Sequence, residues 1–403
     1  MNDFDIIKYI SDGFEKAKNG DAINIYNKVA RFEEINTIPL KSHYPYGWII
    51  YYALHQSSDN EIQSRKKMLA RYFQLQLIVP HKLHSMILTQ AIRLYKNAKD
   101  VAFNKKQDTV IRFSIINFIK IWNLDNLRPG DWKRKELEGK KLSSTTEKLI
   151  TLCVDELEET HTLPTKELLM VIDKAVNEYP DSFNILSQRA AIHLLSNETE
   201  SAAALLRKAI SMAPGKFYLW SKLASTVSPS ENPRLLLALL YKALSAPGPD
   251  QFKGKIRVSL ADVLSSRGAF PQALWELNKV RSIYNQNQWH LSPKYNEILK
   301  RIPADTIPDN PERFYKKMEF LADEEIYAAL PSLTVTKTYH KKASSDETKS
   351  DFGKSSVAWR VTDKTGKNYW INPLRFNLNP NLPIGCNLTV RICNGKVVNA
   401  EET

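Results

Sequence analysis

Cysteine is scarce in this chain. Cys153, Cys386 and Cys393 are the only three among 403 residues. They are too few and too scattered for a disulfide framework, and without histidines at ligand spacing they do not make a structural zinc site. Cys386 and Cys393 are expected to neighbour each other across a β-turn. No apolar run approaches the ~18 residues of a membrane span. The longest candidates, "YGWIIYYAL" and "LLLALLYKAL", read as buried helix faces. The opening "MNDFDIIKYI" begins on acids and lacks the basic start and apolar segment of a secretory signal. These absences predict a cytoplasmic protein with reduced thiols.

Catalytic signatures are missing as well. "FGKSS", Phe352 to Ser356, has the ending of a phosphate-binding loop, but Thr348 stands where that loop needs glycine and no apolar strand precedes it. His81 and His84 in "HKLHSM" lack the glutamate and spacing of a helical zinc-protease motif. The acidic runs "DELEETH" and "ADEEIY" have no recognisable partner nucleophile, and nothing resembles a dinucleotide loop or a nucleophile elbow. The expectation is a non-enzyme without cofactor or metal.

Charge, by contrast, is abundant and uneven. The net charge is +13. Residues 1–145 carry 24 Lys/Arg against 15 Asp/Glu, residues 146–331 carry 22 against 23, and residues 332–403 carry 11 against 6. The excess sits at both ends around a neutral middle. Regional basicity suits a polyanion through phosphate neutralisation and steering; a merely soluble basic surface has the same composition.

The middle repeats. Ala175, Ala209 and Ala243 are each 34 apart, Pro180 and Pro214 share the spacing, and so do Ala190 with Ala224 and Leu186 with Trp220. That is the period of a tetratricopeptide repeat, about 34 residues of helix–turn–helix. A third unit follows out of phase, with Ala261, Gly268, Ala273 and Leu277. "TESAAALLRKAISM" and "NPRLLLALLYKAL" recur at three and four, as amphipathic helices do, and Asn232 before Pro233 reads as a helix cap. Generic helical hairpins would also fit, since His193 and Val227 stand where the repeat favours tyrosine. A pair of this kind cannot bury its apolar stripe alone, so stacked neighbours complete the core and leave a surface for a protein partner.

Residues 1–122 read as a divergent helical array, its first antiparallel pair turned at Asn19-Gly20. Arg65, Lys66, Lys67 and Arg71, then Lys96, Lys99, Lys105 and Lys106, are basic runs that are either solvated faces or a binding patch. Residues 123–145 form a connector, with Trp122 and Trp132 flanking a Pro-Gly turn as anchors. Its run Lys133, Arg134, Lys135 would extend the patch. The segment "WNLDNLRPGDWKRKE", followed by the repeats at 146–331 and a small β-domain at 332–403, resembles tetratricopeptide-type proteins of bacterial conflict systems. That resemblance implies a C-terminal OB-fold of the cold-shock type and a role in defence against invading nucleic acid, and it brings no catalytic residues.

After Pro331 the texture changes to alternation. "SLTVTKTY", "SSVAWRVT", "KNYWIN", "CNLTVRIC" and "GKVVNAEE" are five strand candidates. "HKKASSDETKSDFGKS" reads as a long loop between the first two. The fold class expected is therefore mainly α, a tetratricopeptide-like right-handed helical solenoid followed by a small five-stranded OB-type β-barrel. The turn Lys364-Thr365-Gly366 predicts the register: Asp363 opposes Lys367, Val361 opposes Tyr369, and Trp359 opposes Ile371. Side chains alternate, so Val357, Trp359, Val361, Tyr369 and Ile371 share the core face, and Leu388, Val390 and Ile392 point inward with them. Arg360 and Trp370 are left outside. The nucleic-acid-binding residues expected are Trp370 and Arg360, helped by Lys367, Arg375, Lys354 and Arg391. Alternatively, Trp370 packs on the helices or the loop. The expected partners are nucleic acid and a protein effector encoded nearby; a pure protein scaffold is the competing reading.

Overall fold

Several helices begin where the sequence supplies a side-chain oxygen to an orphan amide. Asn2, Ser114, Ser144, Thr165, Asn232 and Ser292 each accept from the backbone N–H three residues on. A computed structural model describes residues 2–77, 81–104, 113–328, 330–341, 358–376, 378–393 and 395–403. The chain is mainly helical and divides into two units, Met1–Pro180 and Asp181–Thr403. The boundary falls within the stretch expected as one repeat array.

The first unit holds α1 (Asp3–Lys16), α2 (Ala22–Glu33), α3 (His43–Gln56), α4 (Ile62–Tyr72), α5 (Lys82–Asn104), α6 (Ile115–Trp122), α7 (Thr145–Thr160) and α8 (Lys166–Glu178). The α1–α2 turn uses Gly20 at φ 112°, a left-handed backbone that glycine adopts without strain. α3 is apolar on nearly every side and buries Tyr46, Ile49, Ile50, Ala53 and Leu54 against α1, α2, α4 and α5. The connector is ordered by its tryptophans. Trp122 is buried and donates from Nε1 to the His84 carbonyl at 3.1 Å. Trp132 stacks on Tyr179, with Lys174 Nζ 4.5 Å from its ring centre. Between them and α7 lies a small hairpin absent from the sequence reading, β1 (Lys135–Leu137) and β2 (Lys140–Leu142). It turns at Glu138-Gly139, both at positive φ.

The second unit begins with the helix pairs α9 (Phe183–Leu195) with α10 (Thr199–Met212), α11 (Phe217–Ala224) with α12 (Pro233–Ser245), and α13 (Gly254–Ser266) with α14 (Phe270–Gln286). Successive helices pack on one another, and α15 (Pro293–Arg301) covers α13. Ala190, Ala209, Ala224, Ala243, Ala261 and Ala273 are buried, so the small residues spaced along the sequence are the points of close helix approach. α16 (Glu312–Tyr327) returns across α12. Tyr315 stacks on Tyr241 at 3.7 Å, and Lys242 bridges to Asp323 at 2.7 Å. Arg257 and Glu276, both buried, pair at 2.7 Å, and Tyr315 donates to the other Glu276 oxygen.

The sheet then follows: β3 (Ser332–Lys341), β4 (Ala358–Asp363), β5 (Asn368–Ile371), β6 (Asn387–Cys393) and β7 (Lys396–Glu402). Its order is β5-β4-β3-β6-β7, every neighbour antiparallel. The sheet curls until β5 approaches β7, giving a half-barrel around Val335, Trp359, Val361, Tyr369, Ile371, Leu388, Val390, Val397 and Ala400. Cys386 and Cys393 are free thiols at opposite ends of β6, because the strand between them keeps them apart rather than folding back. Among the described residues, no helix is long and apolar enough to cross a membrane.

Candidate nucleic-acid interface

The β4–β5 turn sets everything that follows on these strands. Gly366 sits at φ 85°, its amide donates to the Asp363 carbonyl, and the Asp363 amide donates to the Lys367 carbonyl, both at 3.0 Å. Asp363 Oδ1 accepts from the Thr365 amide at 2.9 Å, the Thr365 hydroxyl at 2.6 Å and the Lys367 amide at 3.0 Å. The Thr365 hydroxyl, then these amides and the Tyr369 hydroxyl, hold the carboxyl below its ordinary range. The pairing that results is Trp359 with Ile371, Arg360 with Trp370 and Val361 with Tyr369. Trp359 is fully buried and Tyr369 nearly so, while Trp370 is 59% exposed.

β3 adds a third member. Its register slips between Lys337 and Tyr339, so one residue is bulged out and the side-chain phase inverts. Before the bulge, Val335 and Lys337 face the interior. Lys337 Nζ lies 3.9 Å from the Trp359 ring centre and donates to the Leu382 carbonyl, and burial depresses its pKa. After the bulge, Tyr339 faces outward and pairs with Arg360. One lateral row therefore crosses three strands: Tyr339, Arg360, Trp370. Tyr339 is 45% exposed and meets Trp370 edge to face, with ring centres 6.3 Å apart at 87°. The Arg360 guanidinium carbon is 5.6 Å from the Tyr339 ring centre. Arg360 thus lies near the tyrosine ring, and the indole is the more exposed of the two rings. Lys364 and Lys367 are exposed on the turn, and Lys367 Nζ lies 5.4 Å from the ring centre of Tyr369, outside the row.

The remaining expected residues are dispersed. Arg391 lies on β6, half-buried, 4.0 Å from Glu401, and is not part of the row. Arg375 belongs to the short turn Pro373–Phe376. Lys354, Val357, the side chain of Arg375, the "FGKSS" stretch and most of the loop between the first two strands lie outside the described residues, as do Lys105 and Lys106. Of the basic patch expected on the first unit, the three arginines make pairs within the unit. Arg65 is fully buried with Asp59 at 3.3 Å and Gln90 at 3.5 Å. Arg71 pairs with Glu33. Arg134 forks onto Glu147 at 2.9 and 2.6 Å and lies 4.6 Å from the Tyr179 ring centre. Lys67, Lys133 and Lys135 are exposed, and Lys66 is half-buried. His84 is also buried, which lowers its pKa to about 4, so it does not face solvent as a histidine at a helix start would. Among the described residues no cluster of His, Cys, Asp and Glu could hold a metal ion.

Tyr339 was not among the expected residues. Its only signal in the sequence is Lys337, a charged residue on an inward position, where alternation would have placed Tyr339 inside as well.

A family model described as "Domain of unknown function (DUF7017)" matches residues 187–322, from within α9 to within α16. The match covers the paired helices and stops before the sheet. No curated protein matches the chain.

Proposed function

We propose that this protein is a non-catalytic adaptor, in which the sheet domain holds single-stranded DNA or RNA and the helical repeats recruit a protein partner. The observation that carries the reading is the exposed Tyr339–Arg360–Trp370 row. An exposed aromatic with adjacent cations and no carboxylate in the row is the combination that grips unpaired bases and their phosphates. The strand order supports an OB-type barrel. Numbered within the domain it runs 3-2-1-4-5 with the outer strands approaching each other, and the row lies on the three-stranded meander that such folds use for oligonucleotides. The buried alanines at 34-residue spacing support a tetratricopeptide-like solenoid for the paired helices. A place in bacterial defence rests on the resemblance in layout.

Full-length protein titrated with labelled single strands tests this. With Arg360 of the row and Lys367 of the turn each neutralising one phosphate, the log–log salt slope is about −1.4 from these two contacts. Trp370→Ala and Arg360→Ala should each weaken binding, and Arg360→Ala should flatten the slope by about 0.7. Binding that is insensitive to salt and to both substitutions would favour the pure protein scaffold.

A further inference from the structure

The hairpin of β1 and β2 belongs neither to the sheet domain nor to the paired helices, and its turn fixes its two faces. Glu138 and Gly139 sit at φ 50° and 72°, and Leu137 pairs with Lys140 across them. Two residues at positive φ make a primed turn, whose twist matches that of the strands. Lys135 then pairs with Leu142, and Glu136 with Lys141. Side chains alternate along a strand, and residues directly opposite share a face. Lys135, Leu137 and Leu142 therefore lie on one face, and Glu136 and Lys141 on the other.

A two-stranded ribbon is marginal on its own. All three residues of β1 are exposed, Leu137 by 60%, and Leu142 on β2 is 42% exposed. The ribbon is ordered instead by a mount at its base. Arg134 forks onto Glu147, and its guanidinium carbon lies 4.6 Å from the Tyr179 ring centre. Trp132 stacks on the same tyrosine, and the Ser144 hydroxyl lies 2.9 Å from its hydroxyl. Thr146 Oγ1 donates to the Asp131 carbonyl at 3.1 Å. The chain enters and leaves the ribbon through packed, hydrogen-bonded residues that hold the ribbon itself out in solvent.

Protection of a free edge does not account for what is displayed there. Exposed edges are blunted by charge, proline or a bulge, whereas β1 sets a leucine beside its lysine on one face. Among the described residues, the backbone of β1 pairs with β2 alone. We infer that this open edge receives an extended segment of a partner protein as a third strand. The segment carries an acidic residue beside Lys135 and an apolar residue two positions along, beside Leu137. Lysine selects the acid, and the two exposed leucines select the apolar neighbour. Three strands with an apolar face reach the size at which a sheet is stable in its own right. Glu136 and Glu138 repel a phosphate backbone, and leucine offers no flat ring on which a base could stack. The inference is independent of nucleic-acid binding by the sheet domain.

The test titrates full-length protein with the labelled peptide Thr-Glu-Thr-Val-Thr-Glu-Thr-Val-Thr, whose glutamates and valines share one face when extended. A second peptide carries lysine for glutamate. Fluorescence anisotropy at low salt should show tighter binding of the glutamate peptide. Saturation with it should slow amide exchange over residues 134–138. Leu137→Ser should weaken it by about three- to tenfold. Lys135→Glu should weaken it by about two- to fivefold and reverse the preference toward the lysine peptide. Glu136→Gln, on the other face, should leave it within about twofold. All three residues are exposed, so melting curves of the variants should match wild type. No binding of either peptide, equal binding of the two, or unchanged binding in Leu137→Ser overturns the inference, as does exchange that saturation does not slow. If neither peptide binds while Lys135→Glu weakens a parallel titration with duplex DNA, the hairpin is a phosphate contact and the inference falls.

Discussion

The buried pair of Arg257 and Glu276 fastens α13 to α14, and through Tyr315 it fastens both to α16. Its removal can be worked out from the structure. Glu276 is fully buried, with one oxygen on Arg257 at 2.7 Å and the other accepting from Tyr315. Arg257 also faces Asp250 at 3.7 Å, near the surface. Burial is the largest influence on Glu276 and pushes its carboxyl above the ordinary value; Arg257 and the Tyr315 hydroxyl pull it back without cancelling the rise. Replacing Arg257 by leucine leaves a carboxylate in the interior without its cation, a loss of about 3–5 kcal/mol. Removing both charges, as Arg257→Leu with Glu276→Gln, is close to neutral because no unpaired ion remains. A carboxyl whose folded pKa lies above its unfolded value favours folding while protonated, and that contribution fades as pH rises from about 4.3 through the folded value. Arg257→Leu should therefore be far less stable than the double variant at about pH 7.5, and the gap should narrow as pH falls toward about 5. Urea unfolding read peptide by peptide through hydrogen exchange reports the second unit separately from the first. Equal stability of the single and double variants near neutral pH, or a gap that does not narrow on acidification, would refute the reasoning.

Other substitutions test other parts of the molecule. Trp370→Ala should leave thermal stability within about 0.5 kcal/mol, since the ring is exposed, while costing about 1–3 kcal/mol of single-strand affinity, a loss read by anisotropy titration. Gly366→Val forces a branched residue to φ 85° and should destabilise the sheet by about 1–2 kcal/mol; an unchanged melting curve would count against the turn geometry. Ser144→Ala removes a cap that accepts from the Glu147 amide at 3.1 Å and contacts the Tyr179 hydroxyl at 2.9 Å. It should cost the first unit about 1–2 kcal/mol in urea unfolding.

The parts of this fold legible from sequence are those governed by local rules. Asp363 to Lys367 specified a turn, the turn specified a register, and the register put Trp359 inside and Trp370 outside. The alanines marked helix contacts because close approach demands small residues wherever it recurs. What was not legible depended on distant partners. Nothing local to Arg65 indicates Gln90, and nothing local to Arg134 indicates that Glu147 and Tyr179 enclose it. A run of cations looks the same whether solvated or spent on internal pairs. Tyr339 was hidden for another reason. Alternation is a rule about phase, and the slip after Lys337 resets the phase without leaving a glycine or proline to announce it. The hairpin at Glu138-Gly139 escaped notice because its strands are only three residues each and carry charges on both faces.

The slip in β3 makes the length of that strand adjustable at one point. Thr338 is the extra residue, since Lys337 before it pairs with Val361 and Tyr339 after it pairs with Arg360. Deleting Thr338 alone would leave Lys337 inward and put the tyrosine on the next, outward position of a regular strand, so both faces keep their residues. A single codon can thus be lost or regained here without moving the aromatic row or rebuilding the packing beneath it.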